Sequence, residues 1–501
     1  MADESDRRGE AAGLAGESGA PRRGNGPTSR RERWARLRRL LWQPPRAHGE
    51  QPHQRVVGPL ELFYDLAVVV LVAQDAHHFA GHLTWRGLGE FAAIFTLVWI
   101  AWANGSLHHE LHGHDDARGR STFLLQILVL AAIGAFIPEA GGTRGAEFAV
   151  AASVLFAVLA VLWLFAARGD RPEYRRPSRL FVTGTAACSL LLAGTALLPA
   201  SARVAAWGLL DAAYLAGFAA VILTAGPAQA AALTITDALI ERFGLLIIIV
   251  LGETLTGVVA GLARVHVTAL ILSVGLVAVV VGFGAWWTYF DFAGHRHPRP
   301  GQTATVQWML SHLPITGAIA AMGAAMVSLV AHADDGRTPA ATAWILCAGA
   351  AVVLCATMLV SASLQDWQRE RGLYRPLACT CAAAALACLG LGAAHPAPLL
   401  LGVALVVLLG IPWVLAVARR LAIGSDSPIE LPARTSRRPR PPPHVPRSPG
   451  DLYARVSSAP TRGLEPECGH DVHLRTWPTA GQTVRVRCDA TRWPIRLRDA
   501  S

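Results

Sequence analysis

Apolar residues run along most of this chain in blocks of about 20, the length of helix that crosses a bilayer core. Short polar stretches separate the blocks. The pattern predicts twelve helices, centred near Val70, Val98, Val129, Val158, Leu190, Leu215, Val250, Val279, Ala320, Val352, Ala385 and Val406, which together fill residues 58–420. Two stretches lack the pattern. Residues 1–57 are polar and Arg-rich, with no apolar run that reads as a cleaved signal, and residues 424–501 include the proline-rich "PARTSRRPRPPPHVPRSPG". Both read as disordered or extended cytoplasmic tails. Near the end, "GQTVRVRCDATRWPIRL" alternates as one or two short strands do, with too few large apolar groups for a core of its own.

Composition supports the pattern. With 52% hydrophobic and only 16% charged residues, and a mean hydropathy of +0.37 that includes the polar tails, an ordinary soluble domain is excluded. The expectation is an all-α, multi-pass protein of the cell membrane. The net charge of +10 sits largely in the tails. Basic tails beside membrane helices suit anionic lipid headgroups, and no aromatic-interleaved basic motif suggests nucleic acid. Cys188, Cys347, Cys355, Cys379, Cys381 and Cys388 lie in apolar blocks and read as small hydrophobes. Cys468, His470, His473 and Cys488 match no common zinc spacing, so neither metal nor cofactor is expected.

Arginine sorts the loops by side, as the positive-inside rule requires. With the N-terminus inside, the inner loops hold Arg118 and Arg120, a cluster from Arg168 to Arg179, Arg296 and Arg299, then Arg369, Arg371 and Arg375. The outer loops hold only Arg86, Arg144, Arg203, Arg264 and Arg337. Twelve spans with both termini cytoplasmic satisfy this alternation. The stretch "ELFYDLAVVVL" at Glu61–Leu71 is echoed by "ERFGLLIIIVL" at Glu241–Leu251. That shift predicts two parallel six-helix repeats, 58–225 and 226–423, an organisation found among secondary transporters.

Charge inside the blocks supplies the candidate chemistry, since a carboxylate in hydrocarbon costs roughly 2.5–3.5 kcal/mol and marks function by default. Glu61, Asp65 and Asp75 fall within about 80° of one another on the first helix and share a face. Asp65 would lie about 6 Å and Asp75 about 21 Å along the axis from Glu61. They suit a proton or cation ladder, or else Glu61 and Asp65 pair with Arg242 or Arg118. Glu253, in "VLGETLTG", is about 18 Å into the seventh helix and near the midplane, beside Gly252, which would let another helix approach. It is either an ion-carrying acid or a buried interhelical hydrogen bond. Glu241, Asp291 and His312, the last close to Pro314, complete the candidate path. "HHELHGHDD", His108–Asp116, is rich in metal-binding residue types, but it sits at a cytoplasmic helix end without the H-E-x-x-H order.

Several stretches together resemble one family. They are "PLELFYDLAVVVLVAQDAHH", "HLTW" at His82–Trp85, "VWIAW" at Val98–Trp102, "DDARGR" at Asp115–Arg120, "ERFGLLIIIVLGET" at Glu241–Thr254, "WWTYFDF" at Trp286–Phe292 and "HLP" at His312–Pro314. These are similar to the bacterial low-temperature-requirement A (LtrA) family over about residues 56–420. The resemblance implies an integral membrane protein named for a cold-growth phenotype. The chain departs from the family pattern at "NGSLHHELHGHDD" and in the tail after Ile423, which has no counterpart.

The leading expectation is a proton- or cation-coupled secondary transporter of a small ion or metabolite, and not an enzyme. No Gly-x4-Gly-Lys loop is present, which removes an ATP-driven pump. Two alternatives belong to other classes: a membrane sensor or cold-adaptation protein without transport, and a membrane enzyme using the His and Asp residues of His108–Asp116.

Overall fold

In a computed structural model of the chain, the described residues are 43–47, 57–226 and 235–423, a few isolated positions between 30 and 41, and two short strands near the C-terminus. The expectations for the rest of both tails, including the Cys468–Cys488 group, lie outside the described residues.

Twelve long helices occupy the positions of the twelve apolar blocks. The first six are α1 (Pro59–Ala80), α2 (Trp85–His112), α3 (Ala117–Gly134), α4 (Gly145–Gly169), α5 (Arg175–Thr195) and α6 (Ala200–Leu223). The second six are α7 (Asp237–Leu262), α8 (Ala269–Phe292), α9 (Gln302–Ala331), α10 (Ala340–Ser363), α11 (Arg371–Ala394) and α12 (Pro398–Ile423). Ten of them are long and apolar enough to cross a membrane. The other two, α1 and α5, are diluted by three acids and by three arginines respectively. This is a multi-pass membrane protein with an all-helical membrane part, and most of its exposed leucines and valines lie on the outer faces of these helices, as a lipid-facing surface requires.

Helix starts follow local chemistry. Thr84, Asp116, Thr236 and Thr268 each accept a hydrogen bond from the backbone N–H three residues on, capping α2, α3, α7 and α8. Proline opens α1 at its first position, where no N–H partner is lost.

The packing order repeats. Helix α1 lies on α2 and α3, α2 also on α4 and α6, α3 on α4, α4 on α5, and α5 on α6. In the second six, α7 lies on α8 and α9, α8 also on α10 and α12, α9 on α10, α10 on α11, and α11 on α12. Helix α1 crosses between the two sets, touching α7 and α9.

Helices α7 and α9 approach each other backbone to backbone. A methyl group built on Gly257 would sit 2.1 Å from the Gly323 carbonyl oxygen, and one on Gly261 would meet Val330 at 2.9 Å. Gly252, expected to serve this purpose, has nothing within 4 Å. The Gly257-x3-Gly261 pair one turn further on does the work, as small residues at this spacing do in membranes.

Residues 426–501 form a separate unit, in which Val486–Arg487 and Arg496–Leu497 pair antiparallel.

Candidate functional site

The three acids of α1 share a buried face, as their spacing requires, and each has a different setting. Asp65 is fully buried, and its two oxygens bind the Arg242 guanidinium at 2.5 and 3.3 Å. The Trp102 indole N–H donates to the same carboxylate at 2.7 Å. Arg242 is itself only 1% exposed, in an aromatic wall where Phe243 packs edge-on to Trp99 and Trp102. A pair like this, with charge-assisted hydrogen bonds filling its lone pairs, is stable in a low-dielectric interior only while both partners remain. The pairing first weighed as the structural role for Asp65 is therefore present, and it ties α1 to α7.

Glu61 faces the His109 ring, Nε2 lying 2.8 Å from Oε1. Asp75 differs from both. It is 1% exposed and neither of its carboxylate oxygens has a hydrogen-bond partner. The carboxylate of Glu90, on α2, adds its charge to the surroundings of Asp75 and is itself held by the Gly141 N–H at 2.8 Å, with His78 3.4 Å away.

Glu253 is 9% exposed, on the stretch of α7 that rides against Gly323 of α9. The charge acting on it is that of His77, from the end of α1. Asp75 of α1 is thus acted on from α2 and Glu253 of α7 from the end of α1, and among the described residues no hydrogen bond or ion pair joins the two acids. Glu241 is exposed and joins neither. Asp291 is exposed too, accepting from the Trp287 indole one turn back on its own helix. His312 is fully buried: its Nδ1 lies 2.6 Å from the Trp308 carbonyl and its Nε2 2.9 Å from the Tyr289 hydroxyl. A carbonyl only accepts, so Nδ1 carries the proton and Nε2 receives the tyrosine O–H. That ring packs against Phe243, which in turn packs on the Trp102 ring that donates to Asp65.

The histidine-rich stretch is held by the N-terminal segment. Gln43–Ala47 lies across the C-terminal end of α2: Gln43 N–H donates to Asp116 at 2.7 Å, and Arg46 N–H to the His112 carbonyl at 3.1 Å. The Arg46 guanidinium caps the carbonyls of His109 and Glu110, complementing the negative end of the helix. His112 Nδ1 lies 2.7 Å from the Arg46 carbonyl. Five residues of the stretch expected to be disordered therefore have a defined seat. In the loop, burial and then the Arg46 charge hold the His114 ring below its ordinary value. Among the described residues no group of three or more His, Cys, Asp or Glu is placed to share a metal ion.

Two features were missed in the sequence. Asp211, midway along α6, is buried with both carboxylate oxygens unpartnered. The signal that singled out Glu253, a lone acid inside an apolar run, was there in "WGLLDAAYLAG". Asn104 joins α2 to three other helices, accepting from Trp163 at 2.6 Å and donating to Thr185 and Tyr214. Nothing in a single sequence distinguishes such an asparagine from a loop residue.

Residues 56–412 match the sequence model of a family described as bacterial low temperature requirement A protein (LtrA). No curated protein and no solved structure matches the chain.

Proposed function

The chain belongs to the bacterial low temperature requirement A family, and from that premise we propose that it is a proton- or cation-coupled secondary transporter of twelve spans with both ends in the cytoplasm. The observation that carries this is Asp75, an acid at membrane depth with no hydrogen-bond partner on either oxygen. A structural acid would be expected to carry bonds like those of Asp65. An acid that loads and unloads an ion has to be left without a permanent partner, because a fixed cation would occupy it. Glu253 is the second carrier, and His77, exposed near the end of α1, is the titratable group that acts on it.

The repeated packing order supports two parallel six-helix halves. Every pairing within α1–α6 recurs six helices later, while the contacts of α1 with α7 and α9 run across the boundary. Substrate paths in repeat transporters lie at such boundaries. The histidine-rich stretch supports the non-enzyme reading, since Glu61, Arg46 and Gln43 engage its side chains in bonds that hold helix ends together.

The test is flux in proteoliposomes under an imposed proton gradient, across a panel of cations and small metabolites. Asp75→Asn keeps the shape and removes the titratable proton. It should insert normally and abolish gradient-driven uptake. A variant with full coupled flux would overturn the assignment, and wild-type protein inert to the whole panel would favour a sensor without transport.

A further inference from the structure

A small cavity lies between α2 and α3, lined also by Leu162 of α4 and by Gln43 and Pro45 of the N-terminal strap, and the Tyr64 hydroxyl of α1 adjoins it at Gly105. Several buried polar atoms around it have no partner: the Tyr64 hydroxyl, Gln126 Oε1 and His108 Nε2. All three side chains are more than nine-tenths buried. Gly105 opens the space between them. A methyl group there would sit 2.9 Å from the Tyr64 hydroxyl and 3.1 Å from Gln126 Oε1, so only glycine leaves both oxygens clear toward one point.

We propose that this cavity binds a small cation carrying several N–H donors, of the ammonium class. Gln126 Nε2 donates to the Thr122 carbonyl at 3.2 Å, which fixes the amide and turns its oxygen, a pure acceptor, toward the space. The Tyr64 oxygen and an imidazole nitrogen can also accept. A site made of acceptors repels an anion and calls for a ligand that donates in several directions. Its enclosed space suits a water-sized species and excludes a metabolite. Alkali and alkaline-earth ions favour all-oxygen shells, and transition metals need more ligating groups than the described residues bring together. Charge at the rim is mixed, since Asp116 and Arg118 both line the cavity, and the Phe123 ring, which packs against both Tyr64 and His109, offers a π face to a cation.

This site is separate from Asp75 and does not depend on transport. Its test is thermal unfolding of the full chain in detergent, titrated with ammonium chloride against sodium and potassium chloride at equal ionic strength. A bound cation should raise the midpoint saturably with ammonium alone. Gly105→Ala, which fills the space, and Gln126→Leu, which removes an acceptor, should each abolish the rise. Should Gly105→Ala fail to fold, Gln126→Leu carries the test. Equal responses to all three salts, or an ammonium response unchanged in Gln126→Leu, would overturn the proposal and leave the cavity to water.

Discussion

Arg242 shows how one side chain can be needed for the integrity of the bundle alone. Its guanidinium neutralises a fully buried aspartate, so Arg242→Gln leaves Asp65 charged or forces it to take up a proton. Breaking one partner of such a pair costs about 3–5 kcal/mol, whereas removing both charges costs much less. Arg242→Gln should therefore deplete the protein from the membrane, and the double variant with Asp65→Asn should recover most of it. Quantitative blotting of membrane fractions checks this, and equal loss in the single and double variants would mean that the charges do not act as a pair. Residue-level chemistry was only partly legible. The acids of α1 announced themselves as charge within an apolar run, but their spacing could not say that Asp65 is paired while Asp75 is not. That difference depends on an arginine 177 residues away.

At the scale of the element, the α7–α9 seam makes the sharpest claim. Gly257→Ala would drive a methyl group into the Gly323 backbone, which has no side chain to swing aside. A loss of about 1–3 kcal/mol is expected from overpacking of this kind. Gly252→Ala, five residues earlier with nothing within 4 Å, is the matched control and should be neutral or mildly stabilising. Thermal melts of the purified variants decide it, and similar melting temperatures for the two would rule out the seam. The helices themselves were readable because a membrane leaves the backbone no other choice once 20 apolar residues follow one another. Which glycine makes a seam was not readable, because Gly252 and Gly257 lie on different faces of the helix and only a partner distinguishes them.

For the whole molecule, the proposed orientation places loop positions 86, 144 and 337 outside and 172, 298 and 370 inside. Single cysteines at those sites, introduced after the native cysteines are replaced, should react with an impermeant thiol reagent in the first set alone. Labelling of position 172 from outside would change the number of spans. Two halves with matching packing orders also suggest that the chain tolerates a break between α6 and α7. Fragments 1–230 and 231–501 should co-purify when expressed together, and fragment 1–230 alone should be degraded. The proposed duplication rests in the sequence on "ELF" and "ERF" near the starts of α1 and α7, and the recurring packing order agrees with it.

The bond between Asp65 and Arg242 also has a history in time. The ribosome delivers α1 long before α7, and at about 5–20 residues per second the arginine emerges roughly 10–35 seconds after its aspartate. Throughout that interval the newborn first half holds an acid with no counter-charge in reach. It must wait beside the insertion machinery, in contact with water, or enter the lipid carrying a proton that it later gives up. Arrival of the seventh helix then supplies the counter-charge, so a chain truncated before Arg242 keeps one unneutralised carboxyl group.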